Sequence, residues 1–387
     1  MKIALVNNLY PPYQKGGAEK IVQLLVEEFA KEGKQTFIIT GRPDSKNKEQ
    51  ESKRIHYLPS FYYRLEKLPK SIRLFWHIWD IFNIRNYLKF KKILRKEAPD
   101  LVITNNIKGL SGLIPLFLGK QKGIKHLHIL HDIQLLHPSG LLIKGEEKKL
   151  SSVINKIYIK INSFLWGSPE AVISPSGWLL DIHQRYEFFP QSSKKVLPNP
   201  LILDKKNYDP EKQAPKQKFT FLYVGQIEEH KGVLFLAKSF KKYHKTSKLI
   251  IVGGGSLEEE LKKTISDSFE INYLGKKDNQ EVQKYMEKAD CLIVPSLCYE
   301  NSPTVIYEAL QKNLPVLASN LGGIPETKKF GAVELFEAGD RKDLIRGAEK
   351  IKKNFNQLKI KAKKRKEGIK KLEVKKYIKE LKRLSEN

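Results

Sequence analysis

Two short apolar runs, Asp290-Cys-Leu-Ile-Val294 and Pro315-Val-Leu-Ala318, flank a helical stretch, and this unit constrains the fold more than any other feature of the chain. Runs of that length and composition are buried strands. Two such strands joined by a helix make a parallel unit with a right-handed crossover. Ser302 stands at the N-cap position and Pro303 at the first helical position, which predicts a helix over 303–312. Its N-terminus, formed by Asn301, Ser302, Pro303 and Thr304, faces the carboxyl ends of the strands. Free N–H groups and partial positive charge there suit a phosphate. Two carboxylates, Glu300 and Glu308, frame that terminus. They would repel a phosphate unless they point elsewhere, so sugar and ribose hydroxyls are their expected partners. Gly322-Gly323 in the next loop allows a close backbone approach.

The same alternation runs through the rest of the chain. Lys2–Asn7 is a strand, followed by a loop with Gly16-Gly17, a helix to about Lys31 and a strand over Gln35–Thr40. Strand, glycine loop and helix form a unit of mononucleotide-binding type, in which the Gly16 and Gly17 N–H groups face a diphosphate. Asp100–Asn105 is a strand, 109–119 a helix, and Ile124–Leu130 a strand ending at His131-Asp132. His131 therefore sits at a carboxyl strand end, where open α/β sheets place ligand-binding residues. Ala171–Pro175 is a further strand. The boundary begins at Val196–Pro200, and polar, proline-bearing 204–218 reads as a linker. The second domain opens with Phe219–Val224, then Gly225-Gln226, Lys231-Gly232 and a helix from Val233 to about Tyr243. Leu249–Val252 runs into Gly253-Gly254-Gly255, another glycine loop. A chain of 387 residues suits two α/β domains, residues 1–200 and 201–369.

Charge narrows the partners. The formal net charge of +28 points to phosphorylated substrates, an anionic membrane face or nucleic acid. Between Arg341 and Asn387 there are 19 Lys and Arg against 6 Asp and Glu, a local +13. No nucleic-acid motif accompanies this charge, so nucleic acid is not an expected partner. The two cysteines, Cys291 and Cys298, match no zinc or redox spacing, and His126, His128 and His137 have no ligand-like spacing. No metal or other cofactor is expected. The short N-terminal apolar run and the lack of ~18 consecutive uncharged apolar residues predict a cytosolic protein.

Phe61–Lys96 stands apart. Trp76, Trp79, Phe82, Tyr87 and Phe90 mingle there with Arg73, Arg85, Lys89, Lys91, Lys92, Arg95 and Lys96. Aromatics at a headgroup boundary with cations beside them suit peripheral association with an anionic membrane. Asp80, amid the aromatics, instead favours helix packing for part of the stripe.

Glu300, seven residues, Glu308 and the later Gly-Gly-Ile-Pro-Glu resemble the donor-site motif of glycosyltransferase family 4, retaining enzymes of the GT-B fold. The His131-Asp132 loop, with its following Pro138, is similar to that family's HD…P loop. The resemblance implies two Rossmann-like α/β domains facing a central cleft. The first takes a sugar or lipid-linked acceptor and the second a UDP- or GDP-sugar. The last helix, about 370–387, returns to pack on the first domain. It also implies roles. Glu300 binds the donor sugar, Glu308 the ribose, and His131 lines the reacting centre. Lys231, with the helix N-termini, holds the diphosphate, and Gly16 and Gly17 approach it. Gln226 stands where the family commonly has an arginine, so more of the leaving-group stabilisation falls to Lys231. Transfer in cell-surface polysaccharide, O-antigen or glycolipid synthesis is the expected function. A GT-B epimerase or phosphorylase is the alternative, and a nucleic-acid-binding protein a more distant one.

Overall fold

The computed structural model describes residues 1–13, 16–42, 54–67, 69–203, 218–241, 247–364 and 366–386. The expected linker at 204–218 lies outside these, apart from Lys218. The chain divides into two compact units. One contains Met1–Leu141, Lys148–Pro200 and Val374–Asn387, the other Leu142–Glu147 and Leu201–Glu373.

In the first unit the strands are β1 (Lys2–Val6), β2 (Gln35–Arg42), β3 (Ile55–Pro59), β4 (Leu101–Thr104), β5 (Lys125–Ile129), β6 (Ala171–Ser174) and β7 (Ser193–Val196). They form one parallel sheet in the order β3-β2-β1-β4-β5-β6-β7. The helices are α1 (Gly17–Lys31), α2 (Lys70–Ile81), α3 (Ile84–Glu97), α4 (Ile114–Leu118), α5 (Val153–Trp166) and α6 (Gly177–Arg185). Strand order reverses between β1 and β4, and such a reversal is where open α/β sheets bind ligands.

The second unit repeats the plan. Its strands β8 (Phe219–Val224), β9 (Ser247–Val252), β10 (Ile271–Tyr273), β11 (Cys291–Val294), β12 (Val316–Ser319) and β13 (Val333–Phe336) form a parallel sheet in the order β10-β9-β8-β11-β12-β13. The reversal falls between β8 and β11. Helices α7 (Val233–Phe240), α8 (Glu258–Ile265), α9 (Asn279–Lys288), α10 (Thr304–Gln311), α11 (Arg341–Lys353), α12 (Phe355–Lys364) and α13 (Lys366–Lys370) complete the unit. β11 and β12 are buried at every position, as strands covered on both faces must be.

The last helix, α14 (Val374–Glu386), belongs to the first unit. Val374, Tyr377, Ile378, Leu381 and Leu384 form its buried stripe and join the cluster of Ile3, Leu5, Leu25 and Phe29. Its lysines lie on the wet side, where Lys382 pairs with Glu32 at 2.6 Å.

Several local expectations need correction. Only Ile114–Leu118 of the expected 109–119 helix is helical. Gly109 and Ser111 have φ of 88° and 152°, which turns the chain, and the Gly109 N–H donates to Asp80 Oδ2 at 2.7 Å. Ser302 does not cap α10. The N-cap is Pro303, without a side-chain cap, because the buried Ser302 hydroxyl is bonded to the Tyr307 hydroxyl at 2.7 Å. The aromatic–basic stretch is two helices, α2 and α3, broken at Asn83, whose side chain accepts from Asn86 N. Leu142–Glu147, expected in the first domain, joins the second. There Ile143 forms a bridge with Cys298 and Tyr299 N–H donates to Leu142 O at 2.8 Å.

Candidate active site

In the second unit the site is built on the loops after β8 and β11, which flank the reversal of strand order. After β8 the chain makes a 3-10 turn, Glu229–Lys231, that ends at Gly232. Gly232 has φ of 70°, and a Cβ there would lie 1.9 Å from Pro295 O. Only glycine lets the turn come so close to the loop after β11. Leu297 and Cys298 N–H groups then donate to His230 O at 2.9 and 3.2 Å. The two loops are thus tied backbone to backbone.

This closure brings Lys231 to Glu300. Lys231 Nζ donates to Glu300 Oε1 at 2.6 Å, and the Ser296 hydroxyl donates to the same oxygen at 2.9 Å. The two charged side chains are only 24 % and 16 % exposed. For Glu300, burial pushes the carboxyl pKa up, but Lys231 and Ser296 outweigh it and hold it below the usual carboxylate value. For Lys231, burial favours the neutral amine, but Glu300 outweighs it and raises the ammonium pKa. Both groups are therefore ionised at neutral pH.

The loop after β12 fixes Glu300 from the other side. Gly323 N–H donates to Glu300 O at 2.7 Å. Gly322 has φ of 62°, and a Cβ on it would meet Glu300 O at 2.4 Å. Gly322 is thus needed to seat Glu300, whereas Gly323, with φ of −85°, contributes only its N–H. Glu308 lies half-buried on α10, one turn past Thr304. Asn301, Pro303 and Thr304 are also half-buried at the start of α10.

The other glycine loop packs against the first. Gly253 has φ of 153°, and a Cβ on it would lie 1.8 Å from Gly225 O. Ile227 N–H donates to Gly254 O at 3.0 Å. Gly253 is therefore required by contact between the loops after β8 and β9. Gln226 is exposed, and its carbonyl accepts from the Tyr223 hydroxyl at 2.6 Å.

In the first unit, His131 follows β5. Its Nε2 lies 2.8 Å from Asn105 Oδ1, an oxygen that can only accept, so Nε2 carries the proton. Burial lowers its pKa to about 4, and the ring is neutral at neutral pH. Asp132 accepts from Gln134 N–H at 2.7 Å and from the Asn106 amide at 2.9 Å. Burial still raises its pKa to about 6. Gly16 and Gly17 are exposed at the start of α1, with nothing but the Glu19 carboxylate near either missing side chain. The Gly16 N–H donates to Glu19 Oε2 at 2.9 Å. The expectation that it is turned to a diphosphate thus meets an internal acceptor, because Glu19 caps its own helix. Glu19 also helps to raise the Asp132 pKa, which puts α1's start near the His131 loop.

Sequence reasoning missed Ser296, Asn105 and Asn106. All three stand just past a strand, so the strand-end rule that found His131 could have found them. Asp80 and Lys108 were not candidates either. They line a cavity beside His131; Asp80 is marked in the sequence only by its place amid the aromatics, and nothing in the local pattern marks Lys108. Among the described residues, no group of three or more His, Cys, Asp or Glu is arranged to hold a metal ion.

Comparison with known proteins places this architecture. A family profile described as Glycosyltransferase Family 4 matches residues 15–205, and one described as Glycosyl transferases group 1 matches residues 204–371. A 42.6 kDa protein of the cps region of Klebsiella pneumoniae is 27% identical over 337 residues, 85% of this chain and 88% of that protein. The lipopolysaccharide 1,2-N-acetylglucosaminetransferase of Salmonella typhimurium is 28% identical over 174 residues, 40% of this chain and 45% of that one. The structure of Anabaena HepE in complex with UDP superposes with a TM-score of 0.72 at 16% identity, covering 100% of both chains. Two parallel-sheet α/β units with these neighbours are the GT-B fold. The two profiles together span residues 15–371, and the chain belongs to glycosyltransferase family 4.

Proposed function

We propose that this glycosyltransferase moves a hexosyl group from a UDP- or GDP-sugar to an acceptor hydroxyl, with retention at the anomeric carbon, in the assembly of a cell-surface polysaccharide or lipopolysaccharide. The observation that carries the reading is the Lys231–Glu300 pair, held at the strand-order reversal of the second sheet. A fixed cation there can follow the charge that develops on a departing diphosphate without reorganising, which is what electrostatic stabilisation requires. In this reading the start of α10 meets the phosphates, Glu308 the ribose and Glu300 the sugar hydroxyls. His131, neutral and oriented by Asn105, serves the reacting centre. HepE was solved with UDP, and one relative is named for lipopolysaccharide assembly, which supports the donor and acceptor classes. In this reading the acceptor is a sugar or a lipid-linked sugar, met at an anionic membrane face. No step in it uses a metal.

The test is a thermal-shift panel of UDP-, GDP- and ADP-sugars. The true donor at 100-fold its Kd should stabilise by ~2.7 kcal/mol. A product assay with that donor, with and without acceptor and in the presence of a chelator, then separates transfer from epimerisation or phosphorolysis. Epimerised sugar formed without acceptor, or no stabilisation by any nucleotide-sugar, overturns the reading. The anomeric coupling of the product sugar in NMR decides retention.

A further inference from the structure

One connection of the first unit leaves it and returns. The chain between β5 and α5 begins with His131-Asp132, gives Leu142–Glu147 to the second unit, and resumes in the first at Lys148. Two glycines in the left-handed region stand at this excursion, Gly140 with φ of 71° and Gly145 with φ of 89°. A Cβ on Gly140 would lie 2.8 Å from Gln134 Cγ and 3.5 Å from Asp132 Cγ, so the near joint is packed on the His131 loop. Nothing lies within 4 Å of a Cβ on Gly145, so there the backbone angle alone asks for glycine.

What this strap holds is the stretch just ahead of Glu300. Lys144 N–H donates to Leu297 O at 2.9 Å, and Tyr299 N–H donates to Leu142 O at 2.8 Å. The two bonds flank an antiparallel bridge between Ile143 and Cys298. The Tyr299 hydroxyl donates to Glu147 Oε1 at 2.8 Å, a bond of the stronger, charge-assisted kind. The same oxygen accepts from Gly145 N–H at 2.9 Å, which ties the strap to itself. Lys144 Nζ donates to Ala338 O at 2.9 Å and pairs with Glu337.

Three sets of contacts therefore converge on residues 296–300. The Leu297 and Cys298 N–H groups go to His230 O in the turn that carries Lys231, and Glu300 O goes to Gly323 N–H. The strap takes Leu297 O and Tyr299 N–H. It differs from the other two in origin, because it is continuous with the loop that bears His131. Such bonds remove the conformational freedom of a short loop. Placement is worth much here, since a displacement of about 1 Å in a reacting group can cost on the order of 100-fold.

We propose that Leu142–Glu147 is a positioning strap: through Tyr299 and the Leu297 backbone it sets where the Glu300 carboxylate meets the sugar of the donor, and its Gly140 joint makes that placement depend on the His131 loop. Tyr299, Glu147 and Gly145 are positioning residues that act through Glu300. That Glu300 meets a sugar rests on the transferase reading above; the strap's hold on 297–299 does not.

The test compares calorimetric Kd values of UDP-glucose and UDP in the full chain, with GDP-mannose and GDP as a second pair. UDP keeps the phosphates and ribose but lacks the sugar, so it does not sense Glu300. Tyr299→Phe and Gly145→Ala should each weaken the sugar nucleotide about tenfold and leave the nucleoside diphosphate unchanged. Adding Tyr299→Phe to Glu147→Ala should weaken it no further than Glu147→Ala alone, because both remove one bond. Gly123→Ala is the control. Gly123 has φ of 84° with nothing within 4 Å of a Cβ, so it meets the same backbone strain far from the strap in sequence, and both Kd values should stay as in the wild type. Amide exchange is followed without ligand. The Tyr299 N–H should exchange about tenfold faster in Gly145→Ala and in Gly140→Ala than in the wild type or Gly123→Ala. Equal weakening of sugar nucleotide and nucleoside diphosphate, or of neither, overturns the proposal, and so does unchanged exchange in Gly140→Ala. If the wild type binds no nucleotide, the donor reading falls, and the exchange rates alone keep or overturn the strap.

Discussion

Lys231 Nζ and Glu300 Oε1 lie 2.6 Å apart, although 69 residues separate them in the chain and they follow different strands. Neighbouring strands β8 and β11 bring their loops together, and Gly232 against Pro295 closes the last gap. The pair puts a fixed positive charge and a fixed acceptor side by side at the point where the sheet reverses its strand order.

Removing one partner should cost more than removing both. Lys231→Ala leaves Glu300 charged and shielded, which should destabilise the fold by about 2–3 kcal/mol, below the full buried-pair penalty because both side chains keep some solvent. Lys231→Met combined with Glu300→Gln should recover much of that, and urea unfolding of the two singles and the double gives the coupling. Turnover should fall ~100-fold or more in Lys231→Ala if the amine stabilises the leaving diphosphate. Additive stability losses would remove the coupling, and wild-type turnover would move the chemistry elsewhere.

Gly232 and Gly33 share a left-handed φ, 70° and 72°, but not their surroundings. Nothing lies within 4 Å of a Cβ on Gly33, so Gly33→Ala should cost only the backbone strain of about 1–2 kcal/mol. Gly232→Ala must also push Pro295 aside, and should cost about 1 kcal/mol more and weaken nucleotide-sugar binding. Equal losses in denaturant titration would show that the close approach carries no energy.

Glu308→Ala should weaken the donor by ~1.5–3 kcal/mol if its carboxylate accepts ribose hydroxyls. His131→Ala should lower turnover more than donor affinity. Calorimetry with the donor and steady-state rates measure both. Unchanged donor affinity with an intact fold excludes Glu308 from the site.

The first unit should lose stability in mild acid. Burial lowers the pKa of His126 to about 3, of His131 and His183 to about 4, and of His128 well below the usual value. Between pH 6.5 and about 4 the unfolded chain protonates these rings and the folded one does not, so stability falls as pH falls. Asp80 and Asp132, raised to about 7 and about 6, keep protons in the folded state and oppose this. With His77, likewise lowered to about 3 by burial, five histidines against two aspartates leave about three protons, or about 4 kcal/mol per pH unit near pH 5. A flat dependence of unfolding free energy between pH 6.5 and 4.5 would mean that these rings are not buried neutral.

The sequence determined what is local and periodic. Strand runs such as Cys291–Val294 and the spacing of Glu300 and Glu308 are local features that could be placed from the residues alone. So could the position of His131, because a strand end in a parallel sheet is a place with a known use. The packing of α14 on the first unit is implied only by the family resemblance. Tertiary structure decided which groups meet. That Ser302 binds Tyr307 rather than capping α10, that Gly16 donates to Glu19, and that Leu142–Glu147 joins the second unit all depend on partners chosen by packing. The faces of α2 and α5 are the sharpest case. An apolar stripe records a preference for leaving water but not the direction in which shelter lies. Only the fold puts Asp80 and Asn162 inside and Trp79 and Phe164 outside.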